Sequence, residues 1–190
     1  MVRVEDQVRK LAAFTGVLLM AAAEAMAQEK QAGSPRRIVV SIPDRKLAVL
    51  QEGKVVKVFS TAVGAPDSPS PTGSFKIVLA LENPTWYGKG RIVPPGKNNP
   101  IGTRWLGLNL KGYGIHGTNA PQSIGHNVSH GCIRLRNHDV EELFRMVSEG
   151  DQVDLYGERT TETAELFGAP MPTTSTVTLV ATASASGGQQ

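Results

Sequence analysis

Between residues 38 and 59 the chain repeats one pattern three times: a short β-branched or alternating apolar run, with a turn signal between one run and the next. Ile38-Val39-Val40-Ser41-Ile42 is followed by Pro43-Asp44, Lys46-Leu47-Ala48-Val49-Leu50 by Glu52-Gly53, and Val55-Val56-Lys57-Val58-Phe59 completes the set. Runs this short and this rich in β-branched residues suit strands, and the spacing between the second and third is that of a hairpin. Residues 74–81, 105–110, 114–116, 133–135 and 152–156 are further strand candidates, which predicts a mainly β core, antiparallel or mixed. One helix stands against it. Asn137 can cap, Val140, Leu143, Phe144 and Val147 recur at i, i+3, i+4 and i+7, and Gly150 sits where the helix would end. Residues 83–103, with Pro84, Pro94, Pro95, Gly96 and Pro100, are too broken for regular structure and long enough for a lid or binding loop.

The chain has 190 residues, which suits one ordinary domain. Its ends do not read as part of that domain. Residues 11–23 form an apolar run behind Arg3, Arg9 and Lys10, and Ala25-Met26-Ala27 supplies a small-x-small cleavage pattern, so residues 1–27 are expected to be a secretory signal with Gln28 as the new terminus. The run falls short of the roughly 20 apolar residues that span a bilayer. Residues 158–190 turn to Thr, Ser, Ala and Gly and are expected to be a low-complexity flexible tail, with 174–180 a weak strand candidate. A domain over residues 36–157 remains. Lys plus Arg number 20 and Asp plus Glu 17, a net charge of +3 that gives no nucleic-acid footprint.

A single cysteine excludes an intramolecular disulfide framework and a CxxC pair. An exported chain would carry that thiol into an oxidising compartment, where it must be buried or used. Taken alone, a free Cys more often packs as a small hydrophobe, and a lone His is more often a polar turn residue. The surroundings here are poor packing material: Ser129-His130-Gly131-Cys132-Ile133-Arg134, and sixteen residues upstream Gly114-Ile115-His116-Gly117. Two adjacent strand ends could bring the His116 imidazole to the Cys132 thiol, making a nucleophile and its base. His130, Cys132 and His116 could in principle ligate zinc, but neither HExxH nor PCxxC accompanies them, and no metal or cofactor is called for. His138, in the first turn of the helix, reads as solvated.

As a string, His116-Gly117-Thr118-Asn119, then Ile124-Gly125, then Ser129-His130-Gly131-Cys132-Ile133-Arg134-Leu135 resembles the signature of the L,D-transpeptidase catalytic (YkuD) domain. Ser70-Pro71-Thr72-Gly73-Ser74-Phe75 and Asn98-Asn99-Pro100-Ile101-Gly102 extend the likeness over most of the domain. Ser70 stands where the family commonly has Thr, and the spacer from His to Ser is short. The resemblance implies a mixed or antiparallel, sandwich-like β fold with its main helix after the catalytic Cys. It implies Cys132 as nucleophile, His116 as base, and the Gly117 carbonyl as orienter of the imidazole. The N–H groups around Gly131 and Cys132 would form an oxyanion hole, lined by His130. Arg134, Ser129, Trp86 and Tyr87 would meet substrate, with Trp105 assigned to packing.

The implied reaction is acyl transfer from a peptidoglycan stem tetrapeptide through a Cys132 thioester to an amine, giving a 3,3 cross-link or, with an outer-membrane lipoprotein lysine as acceptor, a tethered protein. Water as acceptor would make the protein an L,D-carboxypeptidase. A wall-binding module without catalysis is the rival that needs no Cys132. Export across the inner membrane to the periplasm or cell wall goes with this reading; the sequence carries no signal for an oligomeric state.

Overall fold

The computed structural model describes residues 35–88 and 90–168. The expected signal segment, the 174–180 strand candidate and the end of the expected tail lie outside these residues. The described chain is mainly β. Eight strands form one sheet in the order β11-β9-β8-β5-β12-β1-β2-β3. They are β1 (Arg36–Ser41), β2 (Lys46–Gln51), β3 (Lys54–Ser60), β5 (Gly73–Glu82), β8 (Arg104–Leu108), β9 (Gly114–His116), β11 (Ile133–Arg134) and β12 (Gln152–Tyr156). Each overlaps a segment that the sequence pattern marks. The sheet is mixed: β12 runs parallel to β1 and β11 parallel to β9, while the other neighbours are antiparallel.

Register decides which side chains face the core. Leu106, Ile115 and Ile133 stand opposite one another on β8, β9 and β11 and are almost fully buried, beneath Val140 and Leu143 of helix α1 (Asn137–Met146). Burying side chains of this size stabilises the fold by about 1.5–3 kcal/mol each, which fixes the register, because a one-residue slip would turn all three out of the main core. The residues one step away therefore face the other side of the sheet: Trp105, His116 and Arg134.

Three expectations change. Helix α1 begins at Asn137, as expected, but Arg136 occupies the cap position and the Asn137 side chain does not cap. The helix ends at Met146, and Gly150, at φ +97°, serves the turn into β12 instead. Within 83–103, β6 (Trp86–Gly88) and β7 (Arg91–Val93) pair as a small antiparallel hairpin, where broken structure was expected. Two further short strands, β4 (Val63–Gly64) and β10 (Asn127–Ser129), pair with each other.

The tail expectation changes at its start. Thr160 caps a second helix, α2 (Thr161–Phe167), in a reciprocal capping box with Thr163, and Gly168 closes it in the left-handed conformation. Its Leu166 and Phe167 lie against Val39, Ala48 and Leu50 on the face of β1 and β2 opposite the main core. The composition of 158–190 as a whole hides these two apolar residues. Arg37 braces the helix, bonding to Asp154 and Glu162 while Tyr156 donates to Glu162.

Candidate active site

The strand pair β9 and β11 builds the centre of the site. Arg134 stands opposite His116 in parallel register, and Cys132 lies two residues before Arg134, at the entry to β11. Period-two alternation sends the side chains of Cys132, Arg134 and His116 to one face, into a cleft of about 550 Å³ that all three line. The sequence places the thiol and the imidazole sixteen residues apart; the register brings them to one opening.

His116 is 4% exposed, and its Nδ1 lies 2.5 Å from the Gly117 carbonyl oxygen. A carbonyl can only accept, so Nδ1 carries the proton and Nε2 is left with its lone pair. Burial pushes the imidazole down to about 4, the Gly117 carbonyl opposes that, and the Arg134 charge adds to it. The ring is thus neutral at ordinary pH. The Trp105 indole stacks on it, with ring centroids 5.5 Å apart. Gly107 and Gly114 make room for that indole, since a Cβ on either would come within 2.9 Å of it.

Cys132 Sγ is half-buried and lies 3.6 Å from the Gly112 carbonyl oxygen. Burial pushes the thiol above its ordinary value; the Gly114 backbone and the Arg134 charge pull the other way without offsetting it. The resting pair is therefore thiol and neutral imidazole, not a preformed ion pair. Among the described residues Arg134 is the one permanent charge lining the cleft, and its buried Nε has no hydrogen-bond partner there.

Ser129 is buried at the cleft floor, and its hydroxyl donates to the Cys132 carbonyl at 2.6 Å and accepts from the Gly131 N–H at 3.0 Å. This corrects two expectations. Ser129 holds the nucleophile loop in shape, and the Gly131 N–H is engaged by that hydroxyl instead of standing free for an oxyanion. Gly131 is still required: its φ is +104°, and a Cβ would reach 2.7 Å from the Tyr113 ring. His130 is exposed and lines the cleft. His138 is solvated, as expected, with its side chain 74% exposed. Among the described residues no three His, Cys, Asp or Glu side chains are grouped to hold a metal.

Pro84, Thr85 and the β6 residues Trp86 and Tyr87 form part of one wall of the cleft. Trp86 is half-buried with its ring folded over Gly88, and Tyr87 is 75% exposed. One buried side chain holds this wall together. Asn99 donates to the Pro84 carbonyl at 2.7 Å, also reaches those of Pro94 and Val93, and accepts from Ile101 N–H at 3.0 Å. Prolines lack N–H donors, so a proline-rich loop cannot pair its own carbonyls, and Asn99 supplies what they lack. An asparagine inside the Pro-rich run was the available signal. Asn137 carries only the signal of a helix cap, and Tyr113 carries none.

A thiol and a Nδ1-protonated imidazole sharing a cleft, on a mixed β sheet with the main helix after the thiol, define a protein of the cysteine–histidine class. Comparison with known proteins narrows this. The model of the L,D-transpeptidase catalytic domain, YkuD, matches residues 35–155. A putative L,D-transpeptidase of Bacillus subtilis, YqjB, is 40% identical over 121 residues, covering 61% of this chain and 68% of its own. A probable L,D-transpeptidase of Escherichia coli, YcfS, is 34% identical over 156 residues, covering 72% of this chain and 49% of its own.

Among solved structures, the Ldtfm–avibactam carbamoyl enzyme aligns with TM-score 0.57 and 26% identity, over 66% of this chain and 50% of that one. An L,D-transpeptidase from Mycobacterium tuberculosis H37Rv shares the fold at TM-score 0.56 and 24% identity, over 65% of this chain and 58% of its own. The chain belongs to the L,D-transpeptidase catalytic domain family. It spans about half to two thirds of the length of these relatives.

Proposed function

We propose that this protein is a cysteine-dependent L,D-transpeptidase acting on peptidoglycan stem peptides outside the cytoplasm. The observation that carries the reading is the His116 imidazole, fixed by the Gly117 carbonyl with Nε2 bare, in the same cleft as Cys132. His116 Nε2 takes the Sγ proton as the sulfur attacks the donor carbonyl. The imidazolium then gives that proton to the departing D-alanine amine, leaving a thioester on Cys132. An amine from a second stem enters, loses its proton to Nε2, and regenerates the thiol as the new amide forms. The Cys132 N–H is the oxyanion donor of choice, because that of Gly131 is taken by Ser129.

The electrostatics support a carboxylate-bearing donor. Among the described residues Arg134 Nε has no partner and no acidic side chain lines the cleft, so an anionic end is welcome and a cationic one is not. The apolar wall of Leu81, Trp86, Ile101 and Trp105 excludes water from the thioester, which favours an amine acceptor over hydrolysis. The acceptor is proposed to be a second stem, with a lipoprotein lysine as the variant outcome. Residues 1–27 are proposed to direct export.

The test is incubation of the purified protein with disaccharide-free stem tetrapeptides and separation of products by mass. Cross-linked dimer is expected; tripeptide alone would assign a carboxypeptidase. With a carbapenem, a covalent adduct is expected on the native protein and none on Cys132→Ala. An adduct that persists in that variant would overturn the reading.

A further inference from the structure

Asn137 begins helix α1, yet its side chain turns away from the helix and into the seam between two loops. Its Oδ1 accepts from Thr118 N–H at 3.1 Å and from Thr103 N–H at 3.4 Å. The seam is shaped for it. A Cβ on Gly102 would lie 2.1 Å from that oxygen, and one on Gly117 would lie 2.2 Å from it. Two loops have left out their side chains where one amide oxygen enters.

The Thr118 N–H and the Gly117 C=O are opposite ends of one peptide plane, and in a trans peptide they point in opposite directions. Asn137 holds the N–H end; His116 Nδ1 is held by the C=O end, at 2.5 Å. Fixing one end fixes the direction of the other. A hydrogen bond at the N–H also polarises the plane and makes its carbonyl a better acceptor. We propose that Asn137 is a positioning residue: through the Gly117–Thr118 peptide it keeps the proton of His116 on Nδ1 and aims the bare Nε2 into the cleft. The second bond, to Thr103, ties the base of the 83–103 segment to the same oxygen, so the loop carrying His116 and the loop carrying the cleft wall share one anchor.

This inference rests on the reading of His116 as the base, so its test must not stand on activity alone. The competitor for the His116 proton is the Cys132 sulfur, which shares its cleft and would favour a proton on Nε2. Trp105 covers one ring face and offers no acceptor there, and the Arg134 guanidinium only donates. Nitrogen-15 shifts of the His116 side chain read its tautomer directly. The native protein is expected to show neutral imidazole protonated at Nδ1, and the Nε2–H form in the native protein would overturn the proposal without any variant.

Asn137→Ala removes the anchor oxygen and Asn137→Asp keeps one. For Asn137→Ala, mixed tautomers and carbapenem acylation slowed by roughly tenfold to a hundredfold are expected, the scale of a misplaced catalytic group. Asn137→Asp is expected to restore the Nδ1–H form and acylation to within about threefold of native. A folded Asn137→Ala protein with an unchanged tautomer and acylation within twofold of native would sink the proposal. His116→Ala separates the two readings: native acylation there removes His116 as base, whatever the tautomer measurements give.

Discussion

Trp105 lies over His116 with 23° between the ring planes, so the indole covers one face of the imidazole. The pairing follows from register, since Trp105 on β8 is the direct antiparallel partner of His116 on β9. Burial is the largest cause of the depressed His116 value, and the stacked indole is part of that cover.

Trp105→Ala should therefore admit water to the ring and raise the His116 value from about 4 back toward its ordinary 6.5. A better-solvated imidazole is also less firmly held, so acylation by a carbapenem should slow by roughly tenfold, while Trp105→Phe, which retains a ring, should lose less. A side-chain NMR titration of His116 in the two variants checks the first effect, and stopped-flow acylation the second.

The same burial links His116 to stability. The unfolded chain takes up a proton at about 6.5 and the folded one only at about 4, so as pH falls through that interval the unfolded state is favoured. Stability should drop by at most about 3 kcal/mol between those pH values, and no further below them on account of this group. His116→Gln cannot titrate and should flatten that part of the curve. The depressed acids Asp44, Asp154 and Glu162 act at lower pH and are common to both proteins, so the difference between urea melts isolates His116.

Ser129 bridges the Cys132 carbonyl and the Gly131 N–H from a fully enclosed position. Ser129→Ala leaves both backbone groups without that partner, which should cost about 1–3 kcal/mol. The nucleophile loop should also loosen, so acylation should slow even where the protein is folded. Loss of stability with an unchanged acylation rate would show that the loop keeps its shape without the hydroxyl.

What the sequence made legible, and what it did not, follows from how far each signal reaches along the chain. Strands β1, β2, β3, β5 and β12 announce themselves by β-branched or alternating runs, the short β9 and β11 only through the motifs they carry, and Cys132 and His116 by glycines and polar neighbours that make poor core material. Strands β4, β6, β7 and β10 are two or three residues long, too short for any period to register. Asn137 looked like a helix cap because its type and place suit one, but the slot beside Gly102 and Gly117 exists only after three distant segments have met. Ser129 likewise reads as a cleft residue until folding turns its hydroxyl onto its own loop. Trp105 reads as packing, and only the β8–β9 register shows what it packs against.

Helix α2 offers the converse case, a structural element remote from the chemistry. Phe167 is 7% exposed and, with Leu166, covers Val39, Ala48 and Leu50, whose face of the sheet is opposite the main core. Phe167→Ala should cost about 3 kcal/mol, at the low end for a buried aromatic because a terminal helix can fray instead of leaving a rigid cavity. Thr160→Ala, which removes half of the capping box, should cost about 1 kcal/mol. Neither residue lines the cleft, so both variants should acylate with a carbapenem at the native rate under conditions where they are folded. Urea melts and acylation rates measured side by side make the comparison. If Phe167→Ala slowed acylation in proportion to its lost stability, the two faces of the sheet would be coupled, and α2 would belong to the catalytic unit in more than a mechanical sense.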